Sequence, residues 1–178
     1  RSVSRGLGDV YKRQHIGGFN NNFTWGRFNL NVFFQWSYGN DVMNANRIYL
    51  EGNQTNRPAL NQFKSYADRW TPENSDSKMF RAGGQGPVGF YSSRTLEDGS
   101  FLRLKTLQLS YNLSARACRY IGVQNLSVYV SGQNLFTWTD YSGMDPEVSV
   151  RNSALTPGFD YSAYPRSRTY VFGVKVTF

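Results

Sequence analysis

The last twelve residues, SRTYVFGVKVTF from Ser167 to Phe178, alternate strictly and close on an aromatic ring. Tyr170, Phe172, Val174, Val176 and Phe178 share one parity. Thr169, Gly173, Lys175 and Thr177 share the other, with Val171 the apolar exception. A period of two predicts a β-strand with one apolar and one polar face. Chain ends ordinarily fray, and a frayed end has no use for a bulky apolar group, so a structure is expected to hold Phe178. A soluble β-sandwich would produce the same alternation, and the rest of the chain has to separate the possibilities.

Working backwards, three further regions alternate. GGFNNNFTW places Phe19, Phe23 and Trp25 on one parity, and RFNLNVFFQWSY sets Phe28, Leu30, Val32, Phe34, Trp36 and Tyr38 against Arg27, Asn29, Asn31, Gln35 and Ser37. The two runs meet at Gly26, which predicts a hairpin with a very short turn. In FLRLKTLQLSYNL, Leu107, Leu109, Tyr111 and Leu113 alternate, but Leu102 and Leu104 sit on the opposite parity, so a bulge is expected near Lys105. QNLSVYVSGQNLFTW places Leu126, Val128, Val130, Phe136 and Trp138 on one face with Gly132 and Asn134. Five strands are expected, at about residues 17–25, 27–39, 99–113, 123–138 and 167–178.

Their connections alternate between short and long. The turns at Gly26 and around residues 116–122 are brief, whereas residues 40–97 and 140–166 lose the period and fill with Asn, Gly, Ser, Pro and charge. Within the first of these, NQFKSYADRW reads as a short helix stopped at Pro72. Long strands with short turns at one end and long loops at the other describe a membrane barrel, and Trp25, Tyr38, Trp138 and Tyr170 suit its interfacial aromatic girdles. Long unstructured connections are otherwise uncommon in compact domains and mark functional loops.

Composition bounds the function. Aromatic residues make up 16% of the 178, with 12 Tyr and 13 Phe, and the mean hydropathy is −0.54. No stretch approaches the roughly 18 apolar residues of a membrane helix. The net charge of +8 is partly due to the first fourteen residues, which hold four of the 20 basic residues and one of the 12 acidic. The remaining charges are scattered, with neither a basic stripe nor a recognition motif for nucleic acid. Single residues of cysteine and histidine, Cys118 and His15, form neither a disulfide nor a zinc site. Gly84, Gly86 and Gly89 spell a dinucleotide fingerprint, but Pro87 and polar surroundings deny it the strand and helix it needs. Glu97 and Asp98 precede a glycine and read as a turn. No catalytic residue, metal ligand or cofactor is expected, and the chain is not expected to be an enzyme.

RSVSRGLGDVYKRQ, residues 1–14, is basic and aperiodic. It resembles read-through segments fused ahead of unrelated proteins in translated metagenomic assemblies and is set aside as a non-native tail.

The stretches DGSFLRLKTLQLSYNL, VYVSGQNLFTWTDYSGMDPEV, LTPGFDYSAYPRSRTYVFGVKVTF and RWTPEN together resemble the C-terminal end of the SusC/RagA family of TonB-linked outer-membrane transporters of Bacteroidetes. Residues 15–178 would then be the last five or so antiparallel strands of an all-β barrel of about 22 strands, with long extracellular loops. The resemblance implies import of glycan or peptide nutrients across the cell outer membrane. It also implies a SusD-like surface lipoprotein as lid, coupling to TonB through an N-terminal part outside this sequence, and contact with outer-membrane lipid. Gly173, Val176 and Phe178 resemble the signal read by barrel-assembly machinery, which puts the C-terminus in the periplasm and the long loops outside. Substrate contacts in such sites come from aromatic faces and from amide or carboxylate groups. The expected contacts are Trp70, Tyr141, Asp145, Tyr161 and Tyr164 in the loops, with Asn29, Asn31 and Gln35 facing the lumen. Two other readings stay open from the residues: a secreted β-sandwich acting as a carbohydrate-binding module, and a passive porin.

Overall fold

The computed structural model describes residues 14–51, 61–81, 92–147 and 158–178. The glycine-rich fingerprint at Gly84, Gly86 and Gly89, and all of the basic tail except Gln14, lie outside them. The chain divides into two compact units, residues 1–40, 99–140 and 166–178 in one, residues 41–98 and 141–165 in the other.

The first unit is one antiparallel sheet of β1 (His15–Trp25), β2 (Phe28–Tyr38), β5 (Phe101–Asn112), β6 (Asn125–Thr139) and β8 (Thr169–Thr177), in the spatial order β1-β2-β5-β6-β8. Each strand lies beside its predecessor in the sheet, so the connections are hairpin-like throughout. β1 and β2 join through Gly26 and Arg27, with Trp25 opposite Phe28. Gly26 has φ +59°, the left-handed conformation that a two-residue hairpin turn of this hand requires. Between β5 and β6 a short helix, α2 (Ala115–Tyr120), makes the turn. The Ser114 hydroxyl caps it by accepting from Ala117 N, and Cys118 is buried beneath it.

The parity conflict in β5 resolves as a bulge at Lys105. Phe33 pairs with Thr106 and Phe34 with Leu104, so Lys105 is the extra residue against β2. On the other side Leu104 faces Phe136 and Thr106 faces Gln133, so Asn134 and Leu135 span the same interruption. Asn134 takes φ +53° there, a conformation that Asn tolerates better than most residues. The bulge keeps Leu102 and Leu104 on the face of Leu107, Leu109 and Tyr111 instead of flipping them through the sheet.

One continuous apolar face results. From the register it carries Phe19, Phe23 and Trp25 on β1, and Phe28 to Tyr38 at even positions on β2. It continues through the β5 leucines and Val128, Val130, Phe136 and Trp138, and ends at Tyr170, Phe172, Val174 and Val176. Rings meet across it in the pairs Phe28 with Tyr111 and Phe34 with Trp138. Among the described residues no layer covers it: Phe172 is 79% exposed, Val174 64% and Phe136 56%. A sandwich would bury these residues against a second sheet, so the soluble-sandwich reading does not survive. The opposite face carries Asn20, Asn22, Asn29, Asn31, Gln35, Gln108, Ser110, Ser127 and Lys175. On it Gly173 makes room for the Tyr129 ring, whose nearest atom lies 2.3 Å from where a Cβ would stand.

The second unit contains structure that alternation alone does not announce. β3 (Asp41–Asn44) is central in a small sheet of order β4-β3-β7, antiparallel to β4 (Leu96–Asp98) and parallel to β7 (Phe159–Asp160). A one-turn helix, α1 (Asn46–Leu50), follows β3. Val42, Ala45 and Ile48 form its buried apolar centre. Gly158, at φ +69°, lies so close to β3 that a Cβ would stand 2.7 Å from the Asp41 carbonyl oxygen, and its own carbonyl accepts from Met43 N. The expected helix in NQFKSYADRW is a five-residue 3₁₀ segment, Lys64–Asp68. Without a side-chain cap and without buried residues, nothing lengthens it.

Candidate functional site

The residues expected to meet a substrate fall into two settings. Asn29, Asn31 and Gln35 lie on the polar face of β2, in register with β1 and β5. The Asn31 amide donates to Asn20 Oδ1 at 2.9 Å and to Asn22 Oδ1 at 2.6 Å, and Thr24 Oγ1 donates to Asn29 Oδ1 at 3.0 Å. The result is an amide ladder, solvent-facing and already part-satisfied across the hairpin. It is an oriented row of donors and acceptors of the kind that hydroxyl-rich or peptide ligands use.

The other candidates lie in the loop unit and separate by exposure. Tyr164 is 88% exposed, Tyr161 40% and Trp70 38%. Tyr161 packs against Tyr49 with ring centroids 5.2 Å apart. These three present ring surface to solvent. Tyr141 and Asp145 do not: they are 5% and 4% exposed. The Tyr141 hydroxyl donates to Asp160 Oδ2 at 2.6 Å. Asp145 Oδ1 accepts from Glu147 N at 2.9 Å, an Asx-type turn at the end of the Tyr141 segment. Their polar atoms are committed to building the loop. Burial, followed by the hydrogen bond and charge of Asp160, raises the Tyr141 phenol well above its ordinary value.

Glu97, set aside from the sequence as part of a turn, is the organiser of this unit. Its carboxylate accepts from Ser142 N at 2.9 Å, Ser142 Oγ at 2.8 Å, Asn44 Nδ2 at 3.2 Å and Arg47 Nη1 at 3.0 Å. Burial would raise its pKa, but the Ser142 and Arg47 hydrogen bonds and the Arg47 charge outweigh that and lower it. Arg47 continues the network to Glu51 Oε2 at 3.0 Å, which Arg94 approaches at 3.6 Å. Burial disfavours the charged guanidinium, yet Glu51 and Glu97 together raise its pKa. Residues from β3, α1, β4 and the segment after Asp140 are thereby tied into one body. That geometry holds a loop in shape; it presents no nucleophile with a base. Among the described residues no cluster of His, Cys, Asp or Glu is arranged to hold a metal ion.

A sheet that is apolar and bare on one side, and polar on the other, is the wall of an outer-membrane β-barrel. Among the described residues no helix is long and apolar enough to cross a membrane. No family model matches the chain. It is 38% identical over 168 residues to TonB-dependent receptor P26 of Formosa agariphila, a match covering 92% of the chain and 17% of that receptor. It is also 30% identical over 107 residues to TonB-dependent receptor SusC of Bacteroides thetaiotaomicron, covering 59% of the chain and 10% of SusC. Among solved structures it matches the RagAB peptide importer in its closed-closed state with TM-score 0.78 and 29% identity, over 92% of the chain and 17% of the matched one. The open-open state gives the same TM-score at 30% identity. The chain belongs to the SusC/RagA family of TonB-dependent receptors, and it spans 17% of the length of P26.

Proposed function

We propose that this chain supplies the C-terminal wall and outward loops of an energised importer that brings glycan or peptide nutrients through the outer membrane. The observation that carries the reading is the bare apolar face across five strands of 9 to 15 residues, backed by a polar face. Lipid is the layer such a face meets, and a lumen is what the polar face lines. A SusD-like lipoprotein covers the opening, and the part of the receptor outside this sequence engages TonB. That coupling, not passive diffusion as in a porin, is what the family resemblance supports. The chain leaves the sheet at Asn40 and Asp140 toward the exterior, while Gly26, α2 and Phe178 face the periplasm. Gly173, Val176 and Phe178 are read by the barrel-assembly machinery. In the loop unit Trp70, Tyr161 and Tyr164 stack on ligand while Tyr141 and Asp145 hold the loop in shape, and on the polar face of the sheet Asn29, Asn31 and Gln35 bond ligand in the lumen.

The test is made in the full-length receptor in its host. Cysteine at Tyr164 should react with a membrane-impermeant maleimide on intact cells, and cysteine at the α2 turn only after the outer membrane is opened. Uptake of fluorescent oligosaccharides and of peptides is then followed with and without proton motive force. Labelling of the α2 turn from outside overturns the orientation. Uptake unaffected by collapsing the proton motive force overturns energised import. Unaltered uptake in the triple Trp70, Tyr161 and Tyr164 alanine variant overturns the proposed contacts.

A further inference from the structure

Arg168 occupies an unusual place on the sheet. It stands immediately before β8, one residue beyond the paired register, and continues the parity of the apolar-face residues Tyr170, Phe172 and Val174. Its guanidinium carbon lies 5.9 Å from the centroid of the Phe136 ring, which is on that same face. It is exposed, and among the described residues it makes no ion pair. The segment leading into β8 is pinned beside it: Asn134 Nδ2 donates to the Ser167 carbonyl at 3.1 Å, from the bulge where Asn134 holds φ +53°. Trp138 and Tyr170, 52% and 62% exposed, flank the site.

Its height along the strand can be worked out. Arg168 lies ten residues from Phe178. At about 3.3 Å per residue and a tilt of about 40°, that separation is about 25 Å along the membrane normal, the height of a barrel's apolar band. With Phe178 at one margin of the band, Arg168 stands at the other, level with lipid headgroups. An unpaired guanidinium inside hydrocarbon would be strongly disfavoured, whereas at the headgroup level it meets phosphate, which its planar fork binds well. We infer that Arg168, held over Phe136 and flanked by Trp138 and Tyr170, is a docking site for the phosphate headgroup of an outer-membrane lipid. The aromatic rings take the top of the acyl region, and the cation–π contact orients the guanidinium without neutralising it. This rests on the outer-membrane barrel reading above.

The experiment uses the full-length receptor, purified from outer membranes and delipidated, with native mass spectrometry as readout. The probes are phosphatidic acid, diacylglycerol with the same acyl chains, and inorganic phosphate. The wild type should retain phosphatidic acid over diacylglycerol. Arg168→Ala should lose one tightly bound phosphatidic acid, with that site weakened about 10-fold, the scale of one charged contact. Arg168→Lys should keep part of the binding. Phe136→Leu, which leaves the charge but removes the ring, should fall between, and it serves if Arg168→Ala does not assemble. Equal lipid counts for wild type and Arg168→Ala overturn the inference. Displacement of the lipid by inorganic phosphate at equal concentration also overturns it, because the site is then for the free ion. A receptor that never reaches the outer membrane overturns the barrel reading itself, a result distinct from either.

Discussion

Replacing Glu97 with Gln tests the idea that one carboxylate holds the loop unit together. The side chain keeps its length, but the charge disappears and an amide N–H₂ is forced against donors that now reach a carboxylate. Hydrogen bonds to charged groups contribute about 1.5–3 kcal/mol each, and breaking a fully buried ion pair costs about 3–5 kcal/mol. Glu97 and Arg47 retain 14% and 21% side-chain exposure, so the cost should fall below that range, at about 2–3 kcal/mol. Hydrogen exchange of the peptide containing Ser142, measured in the full-length receptor, reads this directly, because Ser142 N donates to Glu97. Exchange there should accelerate about 30- to 150-fold. The pH dependence adds a sign. Because folding lowers the Glu97 pKa from 4.5, its contribution is complete above that value and is lost as pH falls through the depressed one. The protection difference between wild type and variant should therefore be flat at neutral pH and shrink below about pH 4.5. The reasoning is refuted if Ser142 exchanges less than threefold faster in the variant. It is also refuted if Glu97→Gln and Arg47→Gln prove additive, since residues sharing a hydrogen bond must couple.

Three further outcomes are expected. Val174→Arg puts a charge on the bare face where Val174 is 64% exposed; it should cost about 2–4 kcal/mol in refolding into bilayers, while Lys175→Arg on the polar face changes nothing measurable by the same assay. Deleting Lys105 takes out the extra residue and leaves Leu104 and Leu102 opposite Phe34 and Trp36 on the apolar face, so the heat-modifiable folded band on gels should survive the deletion. Gly173→Ala places a Cβ against the Tyr129 ring and should cost about 1–3 kcal/mol in urea titration, with Tyr129→Ser in the same chain restoring most of it.

The sheet was legible because a period of two survives wherever one face meets a uniform apolar medium. Leu102 and Leu104 illustrate this: their broken parity was itself the signal of the bulge at Lys105. Alternation does not report its own interruption on the partner strand. Asn134 reads in sequence as one more residue on the apolar face with Gly132, yet it lies in the bulge opposite Lys105 and takes a left-handed conformation. A strand of constant parity can therefore conceal a bulge where its neighbour's cannot. The turn between β5 and β6 was visible as a break, but its helix was not, because six residues are too few to show a period of 3.6.

The loop unit escaped prediction for a different reason. β3, β4 and β7 have four, three and two residues, too short for any period, and they pair across long separations in the chain. What makes them a sheet is the convergence of groups whose roles depend on one another. Glu97 looks like a turn residue until Ser142, Asn44 and Arg47 are brought to it. Tyr141 looks like a sugar platform until its hydroxyl is found on Asp160. Composition correctly marked the segment as rich in polar and aromatic groups, but residue type cannot say which are spent on the loop and which are left for a ligand. Exposure separates them in the structure: Tyr164, Tyr161 and Trp70 present surface, whereas Tyr141 and Asp145 are buried. The same argument predicts how the two groups should differ: alanine at Tyr164 should weaken substrate capture without changing Ser142 exchange, whereas alanine at Tyr141 should raise that exchange and impair capture only through the loop it no longer holds.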